Sequence, residues 1–259
     1  MRLPRISIIT PSLNQAAYLE RAIESVLGQQ YPELEYIVID GGSTDGSLEI
    51  LTRYSSRLAY WISEPDRGQA EAINKGIARA TGDVIAYMNS DDYYLPGAFS
   101  VAAVILADPS VRWVAGRCRY IFPDGTLEHL HIPRPPRMPV RSMIRGPWYV
   151  AQASSFWRRD VFEEVGLLRE DLDYVLDTEF CVRCALAGIS PTCIDEEIAV
   201  RYLQPNAKSA SPGRFVAEWD RVSRKLEREH VGRIDLVRDV WYRVGLKARH
   251  KIARSVSHS

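Results

Sequence analysis

Two hydrophobic periods alternate through the first 107 residues, and this constrains the chain more than anything else in it. Residues 6–10 are a β-branched apolar run. Residues 14–30 follow with Leu19, Ala22, Ile23, Val26 and Leu27 at the spacing of one helical face. The cycle then repeats as a strand over 36–40, a turn over 41–46 and a helix over 47–54, with the capping residue types Ser43, Thr44 and Asp45 ahead of it. A strand at 58–63 and a helix at 68–80 come next, then a strand at 83–88 and a helix at 96–107 with Pro96 in its first turn. Four such units predict an α/β fold with a mostly parallel sheet and helices on both faces, because each right-handed crossover returns the chain to the same edge. Ligands of such sheets bind beyond the carboxyl ends of the strands, where strand order reverses. Chemistry is therefore expected in the residues that follow strands.

Beyond residue 110 the pattern changes. Residues 111–122 and 126–132 predict a hairpin around Pro123-Asp124-Gly125. Residues 133–147 are rich in Pro and carry Arg134, Arg137, Arg141 and Arg145 without an acid, a loop that either closes over a ligand or is merely solvated. A strand at 156–159, helices at 160–165 and 177–187, and a strand at 197–203 follow, and two charged helices are expected from 213. The organisation expected is one domain in two halves, 1–110 and 111–212, with a helical extension over 213–259.

Basic and acidic residues number 33 each, so the net charge is zero, which disfavours a nucleic-acid binder. No window approaches 18 uninterrupted apolar residues, and the N-terminus lacks a signal-peptide pattern, so a cytoplasmic protein is expected. Cys181 and Cys184 form a CxxC that reads first as helix packing and second as a zinc or redox pair.

Three carboxylate groups fall at strand ends. Asp40 closes the second strand, Asp66 follows the third, and Asn89-Ser90-Asp91-Asp92 follows the fourth. Carboxylates gathered at one edge repel unless a cation or hydrogen-bond donors join them. Mg²⁺ or Mn²⁺, which takes one or two carboxylates together with substrate phosphate oxygens, answers that requirement at Asp91 and Asp92. The competing reading is that Asp and Asn after strands are turn formers and caps.

These residues sit in ordered motifs: ISIITPSLN at 6–14, VIDGGSTDG at 38–46, SEPDRGQ at 63–69 with AINKG at 72–76, NSDD at 89–92, QASSFWRR at 152–159 and LDTE at 176–179. Together they resemble the family 2 glycosyltransferases of GT-A fold. The resemblance implies inverting transfer of a sugar from a nucleotide-diphosphate donor to an acceptor hydroxyl. It implies donor contacts at Pro11, Leu13, Asp40, Asp66, Asn74, Asn89, Asp91 and Asp92, with Asp40 toward the base and Asp91 and Asp92 on the metal. Asp177 is implied as general base, with Glu179 as runner-up; an alternative for Asp177 is the N-cap of its helix. Three positions depart from the common pattern: Asn89 replaces the first Asp of DxD, Leu13 an aromatic, and Gly41 a second Asp.

Other candidates carry weaker signals. Arg201 and Lys208 read first as surface charge and second as diphosphate contacts. His129 and His131 read first as exposed hairpin residues and second as ligands. Trp148, Tyr149, Phe156 and Trp157 read first as core and second as a sugar-stacking surface. From Val231 the chain carries seven basic and two acidic side chains, a net of +5, with Ile234, Val237, Trp241 and Val244 at helical spacing. Such a segment fits an anionic membrane surface, where a lipid-linked glycan acceptor would reside. A non-catalytic glycan- or nucleotide-binding relative is the alternative function. Dehydrogenase and nucleotidyltransferase readings fail because no Gly-rich phosphate loop follows the first strand.

Overall fold

The computed structural model describes residues 3–133, 144, 150–204 and 212–230. The loop arginines Arg134, Arg137, Arg141 and Arg145, the aromatics Trp148 and Tyr149, Lys208, and the basic segment from Val231 lie outside the described residues. The chain divides into a compact unit, Met1–Trp219, and a second, Asp220–Ser259.

In the first unit β1 (Ile6–Ser12), α1 (Ala16–Leu27), β2 (Leu34–Asp40), α2 (Ser47–Tyr54), β3 (Tyr60–Ser63), α3 (Gln69–Arg79) and β4 (Val84–Tyr87) follow one another as the periodicity predicts. β1 pairs in parallel with β2 and with β4, and β2 with β3. The resulting order β3-β2-β1-β4 reverses direction at β1, so the carboxyl ends of β1 and β4 flank the switch point. Every residue of β1 and of β4 is buried. Both faces of these strands are covered, which is why they read as near-continuous apolar runs rather than as alternating ones. Leu19, Ile23 and Val26 of α1 join Ile8 and Val38 in one core cluster, each worth about 1.5–3 kcal/mol when removed from water.

Two details set the loops that follow these strands. Gly76 lies where α3 crosses β1: a Cβ there would meet Ile9 Cγ2 at 2.4 Å, so only glycine lets the helix lie this close. Asp45 does not cap α2 as the sequence suggests, because Gly46 is the N-cap residue, at φ 95°. Its carboxylate instead accepts from Ser47 N at 3.1 Å and from Ala16 N, at the start of α1, at 2.9 Å.

The second half departs from the β-then-α rhythm. β5 (Tyr93–Tyr94) precedes α4 (Ala98–Leu106), and Pro96 falls outside the helix because Gly97, at φ 85°, is its N-cap. β6 (Trp113–Ile121) and β7 (Leu127–His131) form the expected hairpin. They are followed by β8 (Ser155–Arg158), α5 (Arg159–Val165), α6 (Leu176–Leu186), β9 (Thr192–Tyr202) and α7 (Pro212–His230). β8 runs antiparallel between β4 and β6, β9 parallel to β6, and β5 antiparallel to β9. β9 starts at Thr192 rather than at 197, because its polar Asp195-Glu196-Glu197 stretch hides the strand while its first residues already pair with Val114 and Ala115. Phe156 and Trp157 are fully buried, and Trp157 stacks on Tyr87 and Trp113, so both are core. Cys181 and Cys184 lie on α6, where burial pushes the Cys184 thiol up to about 12 and the Cys181 thiol well above its ordinary value.

Candidate active site

The carboxyl ends of β1 and β4 open into a cavity of 720 Å³. Pro11 and Leu13 leave β1 along its wall, Asn89, Asp91 and Asp92 leave β4, and Asp66 comes from the segment after β3. The start of α6 contributes Asp177, the end of β9 contributes Arg201, and the β6–β7 hairpin contributes Tyr120, His129 and His131. Seven of the nine residues singled out from the sequence thus line one cavity. They are Pro11, Leu13, Asp66, Asn89, Asp91, Asp92 and Asp177.

The remaining two do not line it. Asp40 is fully buried, and its carboxylate accepts from Gly42 N at 3.1 Å, Ser43 N at 2.8 Å, Ser43 Oγ at 2.5 Å and Ser63 Oγ at 2.7 Å. It organises the 41–46 loop, and Ser43 Oγ in turn accepts from Asn14 N at 2.7 Å, which fixes the chain leaving β1. Asn74 is buried on α3, donates to Leu168 O at 2.8 Å and accepts from Leu168 N at 3.1 Å, pinning the chain that follows α5. Glu179 is likewise spent: it is 2% exposed and holds Arg183 Nε with both oxygens, at 3.0 and 2.9 Å. The cap reading of Asp177 fails as well, since the N-cap residue of α6 is Val175.

The acids in the cavity differ in environment. Asp92 is 2% exposed; its Oδ1 accepts from Tyr202 N at 2.9 Å and its Oδ2 from Asn89 Nδ2 at 3.4 Å. Burial first, and the neighbouring Asp91 charge second, push its carboxyl up to about 7. Asn89 also accepts from Gln69 Nε2 at 2.6 Å. An amide at 89 donates to Asp92 where a carboxylate would add a third negative charge. Asp91 is half-buried, and Gln204 Nε2 donates to its Oδ2 at 2.6 Å. Asp66 accepts from Gly68 N at 2.9 Å, and burial raises its carboxyl. Gly41 makes room for that carboxylate, since a Cβ there would meet Asp66 Oδ2 at 2.8 Å. A second aspartate at 41 would collide with Asp66 as it stands. Asp177 accepts from Thr178 N at 2.8 Å; burial raises its carboxyl while the Arg201 cation pulls the other way.

Arg201 corrects the surface-charge reading. It is partly buried on the cavity wall, with its guanidinium 5.4 Å from the centroid of Tyr120, whose ring stacks on His129 at 4.2 Å. Burial works against this cation, but Tyr120, Asp92 and Asp177 outweigh it and hold the charge. The sequence carried a signal for it: a lone cation directly after the buried run Ile198-Ala199-Val200. Gln204, the partner of Asp91, had no local signal. Among the described residues no cluster of three His, Cys, Asp or Glu side chains could hold a metal ion by itself. The donor set still fits Mg²⁺ or Mn²⁺, which takes one or two carboxylates and completes its shell with phosphate oxygens and water. Asp91 is the carboxylate available for that.

A mixed sheet with its cavity at a β1–β4 switch point is the GT-A architecture of glycosyltransferases. TarS of S. aureus in complex with UDP-GlcNAc superposes with a TM-score of 0.67 at 17% identity, covering 91% of this chain and 69% of that one. The mannosyltransferase PcManGT from Pyrobaculum calidifontis, in complex with GDP-Man and Mn²⁺, gives 0.66 at 22% identity over 88% of this chain and 65% of that one. The model of the family described as Glycosyl transferase family 2 matches residues 7–166, and the chain belongs to that family. A Mycobacterium tuberculosis relative described as an uncharacterized glycosyltransferase, Rv1514c, is 34% identical over 188 residues, 71% of this chain and 70% of the relative.

Proposed function

We propose that this glycosyltransferase moves a sugar from a nucleotide-diphosphate donor to an acceptor hydroxyl with inversion, in the assembly of a surface polysaccharide or glycolipid. The observation that carries the reading is one cavity walled by Asp91 and Asp92 after β4 and by Asp177 at the start of α6. Donor complexes of two proteins sharing the fold, one with UDP-GlcNAc and one with GDP-Man and Mn²⁺, support a nucleotide-sugar partner. The first half of the domain, 1–110, would hold the donor, and 111–212 the acceptor.

In this mechanism Pro11, Leu13, Asp66 and Asn89 border the donor, and Asp40 acts on it through the 41–46 loop. Asp91 would hold a divalent ion, with Asp92 beside it, and such an ion would supply positive charge toward the leaving diphosphate. Arg201 adds a cation to the same cavity. Asp177 takes the proton of the acceptor hydroxyl as its oxygen attacks the anomeric carbon, a role typically worth about 10²- to 10⁴-fold in rate. A single displacement needs only that one base, and burial raises its carboxyl above the ordinary value, which makes the carboxylate a stronger base. Among the described residues no helix is long and apolar enough to cross a membrane, and the basic segment from Val231 would bring the enzyme to an anionic membrane face.

The experiment is a thermal-shift panel of UDP-, GDP- and dTDP-sugars with Mg²⁺ or Mn²⁺, followed by nucleotide release with the donor selected. Asp177→Asn is expected to lower release by at least about 10²-fold while the donor-induced shift persists. No shift with any donor would favour a binding module of another ligand class, and unchanged release would remove Asp177 as base.

A further inference from the structure

We infer that Glu218, on the second turn of α7, is a positioning residue for Asp177; the inference rests on the general-base reading above. Three consecutive backbone N–H groups ahead of α6 converge on its carboxylate. Asp173 N lies 3.2 Å from both oxygens, Tyr174 N 2.6 Å from Oε2 and Val175 N 3.1 Å from Oε2. Arg214 Nη1, one turn earlier on the same helix, donates to the Tyr174 hydroxyl at 3.1 Å.

The physical need is local. Val175 is the N-cap residue of α6 and supplies no side-chain cap. The N–H of an N-cap residue has no partner inside its helix, and those of the two residues ahead of it also need an acceptor from elsewhere. A carboxylate is the favoured acceptor at that end, because the helix dipole and successive N–H groups form a cradle for an anion. Such charge-assisted bonds are about twice as strong as neutral ones. Glu218 thus accepts the N-cap amide of α6 together with the two amides ahead of it, delivered from more than 40 residues downstream.

Asp177 stands two residues past the last of these amides. Asp173, Tyr174, Leu176 and Asp177 border the cavity, as do Phe215 and Val216 from the turn of α7 that carries Glu218. The chain entering the first turn of α6, and with it the aim of Asp177, is held from α7. A base displaced by about 1 Å loses about 10²-fold in rate. The donor-bordering residues leave β1 and β4, elements apart from α6 and α7, so donor binding is expected to survive its loss.

The test uses the full chain and two readouts. Glu218→Ala is expected to lower kcat about 10- to 100-fold with the donor KM within about twofold. Glu218→Gln, whose amide oxygen still accepts, is expected to recover part of the loss. In the Asp177→Asn background Glu218→Ala is expected to cost nothing further, because its effect passes through the base. Multiplying effects in that double mutant, or an unchanged kcat, would overturn the inference. Amide hydrogen exchange over residues 173–177 is expected to accelerate in Glu218→Ala in the absence of any substrate. Unchanged exchange there would overturn it independently of activity. If Asp177→Asn alone turns over normally, the general-base reading fails instead, and the exchange result still reports whether Glu218 holds this turn.

Discussion

Asp92 couples a single proton to folding. Its carboxyl is raised from 3.8 to about 7 by burial and by Asp91, so the native state binds a proton that the unfolded chain releases. The stabilisation is complete below about pH 4 and is lost as pH rises through about 7. Chelator-treated protein is therefore expected to lose melting temperature between about pH 5 and about pH 8, and Asp92→Asn to flatten that dependence; equal slopes would show that Asp92 is not its source. Asp177 gives a second residue-scale prediction of opposite use. Its raised carboxyl must be deprotonated to accept a proton, so the acid limb of kcat/KM is expected above the ordinary carboxylate range. Replacing Arg201 with Gln, which removes the cation that pulls Asp177 down, is expected to move that limb further up. Neither behaviour was readable from the motifs, which show that an aspartate is present but not how dry its surroundings are.

At the scale of elements, motif residues divide into those that face the cavity and those that build it. Asp40 and Asn74 belong to the second kind, tying loops that carry Pro11, Leu13 and the chain after α5. Gly76, the last residue of the AINKG motif, is of the same kind: it sets how closely α3 lies on β1. Gly76→Ala is expected to cost about 1–3 kcal/mol through overpacking against Ile9, lowering the melting temperature by about 2–4 °C per kcal/mol. Ile9→Ala, which removes both Cγ atoms that the new Cβ would meet, is expected to cost less in the Gly76→Ala chain than in the parent, as a calorimetric double-mutant cycle would read. Strands and helices of the first half were legible because each buries a face whose period survives in sequence. β5 and the first half of β9 were not, the one for its two-residue length and the other for its acidic stretch.

For the whole molecule, neutrality is a sum of unlike parts. Residues 1–230 carry 26 basic and 31 acidic side chains, and the segment from Val231 supplies the balancing +5. A chain ending at His230 is expected to lose binding to anionic liposomes while keeping its donor-induced thermal shift; undiminished binding would remove the segment as the membrane contact. The sequence by itself determined the parallel half of the sheet and the edge on which chemistry falls, because periodicity and strand-end carboxylates are local properties. It also carried the family, in motifs spread along the chain. Only the tertiary structure decided that Asp40, Asn74 and Glu179 are spent on holding loops and helices, and that Arg201 enters the cavity. It alone gave Asp91 and α6 their distant partners, Gln204 and Glu218, since burial and long-range hydrogen bonds arise where separate segments meet.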